Sequence, residues 1–204
     1  MPSAAEIYLR RILDLVEAGF TTTPIHIEIA DEDQKDAITG AMVSIEVIHH
    51  EVHEGEMFYA EHVNTNVANA VSLDILITTG AKYDHIVFNL GVGGQTLVYL
   101  YEGPNASGGT SVPIYNMNRP SANAPLSIVT HTPSVVATGS VALVNGRLLA
   151  GGTSPQTRVG AGVRAGTEFI LKPSTKYLIR ATNNSGAGIA INIALEFYEE
   201  AVNA

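Results

Sequence analysis

The chain contains no cysteine, which excludes disulfides and thiolate metal sites outright. It is also poor in charge. Asp, Glu, Lys and Arg make up 15% of its 204 residues, against roughly 25% in ordinary globular domains. Small apolar and hydroxyl residues take their place, together with 19 glycines. This composition suits a β-rich body whose outer surface is partly covered by other protein. Basic charge is scarcest: 11 Lys and Arg face 20 Asp and Glu, for a net charge of −9, and no dense basic run occurs. Nucleic acid is therefore not an expected partner, since neutralising phosphates needs clustered cations. No apolar run reaches the length of a membrane helix, and no basic-then-apolar signal pattern opens the chain. We expect no membrane partner. Familiar catalytic patterns are missing as well. There is no Gly-x-Ser-x-Gly elbow, and no internal repeat of fixed period is evident.

What is present is strand periodicity. At this length, one domain plus an appendage is the natural count, and such a domain buries roughly 70% of its unfolded surface. The stretch Glu168–Glu199 organises the rest. Tyr177, Ile179 and Ala181 alternate with Leu178, Arg180 and Thr182, and Ile189, Ile191, Ile193, Leu195 and Phe197 share one face of a second strand. Asn183-Asn184-Ser185-Gly186 tolerates the backbone of a tight reversal, which predicts two antiparallel strands around a polar turn. Further strands are expected at Ile25–Ile29, Ala41–His50, Val71–Thr78, His85–Leu90, Gln95–Glu102 and Ser127–His131. Gly91-Val92-Gly93-Gly94 lacks the third glycine and the following helix of a dinucleotide fingerprint, and reads as a hairpin connection. Asn145-Gly146, between Val141–Val144 and Arg147–Ala150, predicts a two-residue hairpin.

Ser3–Gly19 is the one segment with convincing helical spacing. Ser3 and Glu6 form a capping box, and Leu9, Ile12, Leu13, Val16 and Phe20 lie on an apolar stripe. That stripe packs on its own domain or on a neighbouring subunit. Arg158 and Arg164, in a Gly-rich loop over residues 151–166, either meet an acidic partner surface or stay solvated. The division expected is a helix and arm over residues 1–40 and an all-β antiparallel sandwich, jelly-roll-like, over residues 41–204.

The densest chemistry lies in His49, His50, His53 and His62, with Glu51, Glu54 and Glu56 between them. A zincin needs His-Glu-x-x-His, and here His53 follows His50-Glu51 one residue short. His49 and His53 have i,i+4 spacing, but the flanking pattern is strand-like, which would put His49, Glu51 and His53 on one face and His50 on the other. The plain reading is a polar strand edge or a subunit contact. Tyr99, Tyr101 and Tyr115 are candidates for an aromatic sugar platform, with core or interface packing as their simpler fate.

The segment His49–Phe58, Tyr101-Glu102-Gly103 followed by Tyr115–Arg119, and the ending Glu168–Arg180, Thr182–Gly186 and Leu195–Glu199 together resemble small β-rich virion proteins of tailed bacteriophages, among them capsid decoration or cement proteins. The resemblance spans about His49–Glu199. It implies a structural protein on the virion surface, made in the bacterial host cytoplasm, with the major capsid protein as partner and a homotrimer as assembly. It implies no catalytic residues, metal or cofactor. Within this reading, Leu9, Ile12, Leu13, Val16, Phe20, Arg158 and Arg164 are the contact residues. The alternative is a fibre, spike or tail component that binds host glycans.

Overall fold

The computed structural model describes residues 47–149 and 168–201. In chain order these residues form helix α1 (Val47–Glu54) and strands β1 (Met57–Val67), β2 (Ser72–Thr78), β3 (Tyr83–Val92) and β4 (Thr96–Glu102). Five short strands follow: β5 (Asn105–Ser107), β6 (Thr110–Ser111), β7 (Ile114–Asn116), β8 (Ile128–His131) and β9 (Ser134–Ala137). The remainder are β10 (Val141–Leu149), β11 (Phe169–Leu171), β12 (Lys176–Asn183) and β13 (Ile189–Glu200). The predicted N-terminal helix and the strand Ile25–Ile29 lie outside the described residues.

The strands make an antiparallel sandwich. One sheet runs β11-β3-β13-β1-β7 and the other β10-β4-β12-β2-β8-β6, with β5-β9 as a separate ribbon. Removing the edge additions β7, β8 and β6 leaves two interleaved four-stranded sheets, the double Greek key of a jelly roll. The all-β sandwich read from the sequence is the fold. Its core follows the pleat: Ile86, Phe88 and Leu90 on β3 meet Ile191, Ile193, Leu195 and Phe197 on β13, and these face Ile75, Ile77, Val98, Leu100 and Ile179 of the other sheet.

Three predicted connections are corrected. β12 and β13 do reverse at Asn183–Gly186, but they lie in different sheets. β12 pairs with β2 and β4, while β13 pairs with β1 and β3. The loop Gly91–Gly94 likewise carries the chain from β3 in one sheet to β4 in the other, so it is an arch and not a hairpin. Both corrections have one cause. In a jelly roll each central strand finds its partners far away in sequence, and an apolar strand buries its face equally well by crossing to the facing sheet.

The third correction is at Asn145-Gly146. Val141–Leu149 is one strand against β4, and its register slips between Ala142 and Val144 and again between Val144 and Arg147. Gly146, at φ +68°, sits in the second slip, so a residue pair suited to a tight turn serves a bulge instead. The polar stretch Gly103–Thr110 contains β5 and the start of β6. On β12, Leu178 is as buried as Tyr177 and Ile179, so the strand is enclosed on both faces there.

Candidate functional site

The contact residues chosen from the sequence, Leu9, Ile12, Leu13, Val16, Phe20, Arg158 and Arg164, lie outside the described residues. The histidine-bearing stretch lies inside them, and its expected strand is overturned: Val47–Glu54 is a helix. β-branched Val47, Ile48 and Val52 favour a strand locally. The helix is fixed by how it ends. Gly55 takes φ +74°, its N–H donates to the Val52 carbonyl at 3.1 Å, and the Glu56 N–H reaches the Glu51 carbonyl at 3.0 Å. This pair of bonds is a Schellman cap, which needs a residue at ease with positive φ. Asn116 Nδ2 then donates to the Gly55 carbonyl at 2.6 Å, and Asn118 Nδ2 to the His53 carbonyl at 3.0 Å. Asn118 thus serves a backbone group at the end of the helix. Arg119 instead lies over the Tyr115 ring, 5.5 Å from its centroid.

The helix redistributes the histidines. His49 and His53 stand one turn apart with their Nε2 atoms 2.9 Å from each other. His50 turns to the acidic side, 3.5 Å from Glu51 and 3.9 Å from Glu54. His62 is elsewhere, on β1, stacked at 3.8 Å on His131 of β8. Burial, followed by the neighbouring His131, lowers the His62 pKa. Among the described residues, no group of three or more His, Asp or Glu side chains is placed to hold a metal ion.

A second polar concentration lies where β13 ends beside the start of β3. His85 spans it. Its Nε2 is 2.9 Å from Glu200, its Nδ1 is 3.0 Å from Glu168 and 2.9 Å from the Tyr198 hydroxyl, and its ring stacks on Tyr198 at 4.4 Å. Burial and then the surrounding carboxylates, Glu168 first, push the Tyr198 phenol up to about 12. Clefts of about 300 Å³ and 330 Å³ flank the cluster, the first lined by Glu51, Tyr198, Glu199 and Glu200, the second by Tyr83, His85, Ile170 and Glu200. On the inner face of the same strands, Asp84 and Glu199 are cross-strand neighbours and both are buried. Glu199 accepts the backbone N–H groups of Leu126 and Ser127 at 2.8 and 2.9 Å. Both nitrogens of His85 are engaged by carboxylates, so the cluster ties strands together and holds no free base beside a nucleophile.

The tyrosines do not converge. Tyr99 and Tyr101 stack at 5.5 Å on β4, whereas Tyr115 is on β7 in the other sheet. No protein-family model, curated protein or solved structure matches the chain. The surface that stands out is apolar. β10 is an edge strand among the described residues, yet Val141, Leu143 and Leu148 are 45%, 39% and 53% exposed along it, and Val136 on the preceding β9 is 77% exposed. Soluble proteins usually guard a sheet edge with charge, proline or a covering element. Here Arg147 is the one charged residue in the strand.

Proposed function

We propose that the protein is a structural virion component that binds the outside of a tailed-phage capsid and cements adjacent capsid subunits. The observation that carries this reading is β10. An apolar strand at a sheet edge, as β10 is among the described residues, is stabilised when another protein adds to it, and a shell-binding protein has such partners at every site. The low surface charge fits the same role. A jelly roll offers a rigid body, and cementing needs interface area, not chemistry. A modest free energy per copy, multiplied over many copies, resists the internal pressure of a packed head. The assembly that fits is a homotrimer, since a closed ring gives each copy the same contacts and suits a local three-fold position. On this reading the partner is the major capsid protein and the protein resides on the capsid surface after synthesis in the host cytoplasm. The glycan-binding alternative draws no support from Tyr115, which is separated from Tyr99 and Tyr101.

The deciding experiment is the copy number of this chain relative to the major capsid protein in purified virions, by quantitative mass spectrometry. A ratio comparable to the capsid protein is expected. A few copies per particle would move the protein to a vertex or tail, and its absence from virions would sink the proposal.

A further inference from the structure

We propose that His49 and His53 form a two-imidazole chelate on helix α1 for a first-row divalent cation with right-angled coordination, Ni²⁺ or Cu²⁺. The two Nε2 atoms are 2.9 Å apart, and the rings meet edge-on, with centroids at 4.5 Å and planes inclined by 66°. Metal–imidazole bonds are about 2.0–2.1 Å long, so two donors at this separation subtend about 90° at a shared metal. That is the angle between neighbouring ligands of a square-planar or octahedral centre, and it is too narrow for tetrahedral zinc. Without a metal, the same approach requires one ring to donate an Nε2 proton to the other. Binding uses both Nε2 lone pairs, so that proton moves to Nδ1 or leaves to solvent.

The pair is held before any ion arrives. The cap at Gly55 and the Asn118 bond to the His53 carbonyl fix the last turn of the helix. Asn118 is itself oriented by its own N–H, which donates to Asn116 Oδ1 at 2.8 Å. His50 is drawn towards Glu51 and Glu54, leaving His49 and His53 as the matched pair. Both rings are exposed, so water fills the remaining coordination positions. The inference needs only helix α1 and does not depend on the virion role.

The test is titration of the full-length protein, without an affinity tag, with NiCl₂ followed by calorimetry, and with CuSO₄ followed by visible absorption. One equivalent is expected to bind through this pair. His53→Ala and His49→Ala should each remove that equivalent or weaken it at least about tenfold, since losing a direct ligand costs no less than losing an outer-shell partner. His50→Ala should leave it in place. Far-ultraviolet circular dichroism shows whether each variant is folded, and the two alanine variants serve as independent checks. No saturable binding, or binding that survives both His49→Ala and His53→Ala, overturns the site. Tighter binding of Zn²⁺ than of Ni²⁺ overturns the right-angled geometry.

Discussion

Asp84 is a carboxyl enclosed between apolar strands, with buried Glu199 directly across the ladder and one oxygen without a partner. Burial pushes its pKa up to about 6; contact with Ser127 and the charge of His85 pull it down, and Glu199 pushes it further up. In the unfolded chain the same group titrates near 4, so between about pH 4 and pH 6 the folded state holds the extra proton. Stability from this residue is therefore greatest below pH 4 and declines as pH rises to 6, by on the order of 2–3 kcal/mol. Asp84→Asn should raise the urea midpoint at pH 8 and leave it nearly unchanged at pH 4. Equal shifts at both pH values would rule out the buried carboxylate as the cause. His62 works in the opposite sense. Its lowered pKa means that the unfolded chain binds protons first, so its contribution is present above pH 6.5 and lost as pH falls below it. His62→Gln should flatten that acid limb in the same urea series.

Among the elements, the arch between β12 and β13 is the most demanding. Asn183 is fully buried within it, donating to the carbonyls of Val67 at 2.8 Å and Ala187 at 2.6 Å and accepting the Ser185 N–H at 2.9 Å. Asn183→Leu strands the buried Val67 carbonyl, at a cost of about 1–3 kcal/mol, and also removes the part-buried bonds to Ala187 and Ser185, so it should lower stability by roughly 2–4 kcal/mol in urea unfolding. The neighbouring arch Gly91–Gly94 presses against this one. A Cβ at Gly94 would lie 2.8 Å from the Ser185 Cβ and 3.0 Å from the Ile189 Cγ2. Gly94→Ala should cost about 1–3 kcal/mol, measured by thermal unfolding, with Gly103→Ala as a poor comparison because Gly103 has positive φ. These arches mark where sequence reading stops. The alternation in β3 and β13 was legible because one face of each is buried. The sheet to which each strand belongs was not, because the pleat is the same whether a chain turns back beside its neighbour or crosses the sandwich. Helix α1 was hidden for a related reason: its β-branched residues argue for a strand, and the Asn118 bond that helps secure it comes from 65 positions further along. The 49–53 spacing was visible, but the approach of the two rings depends on that helix.

At the scale of the whole molecule, β10 carries the assembly prediction. If Val141, Leu143 and Leu148 meet another copy, Leu143→Lys combined with Leu148→Lys should turn the proposed trimer into a folded monomer by sedimentation. Both side chains are exposed, so little loss of monomer stability is expected. Unchanged sedimentation of the double variant would remove β10 from the interface between copies and leave the capsid as its remaining partner.

The central position in each sheet also governs how the protein comes into being. β13 stands between β3 and β1, and β12 between β4 and β2. Until a ribosome has made residues beyond 176, β1, β2, β3 and β4 have only the outer partners β7, β8, β11 and β10 respectively, and nothing joins β1 to β3 or β2 to β4. A nascent chain at that stage exposes the apolar faces of β1 to β4 and has no local hairpin to shelter them. Folding therefore waits until β12 and β13 have been made, and a chain released before them is a substrate for chaperones and proteases rather than a smaller working protein.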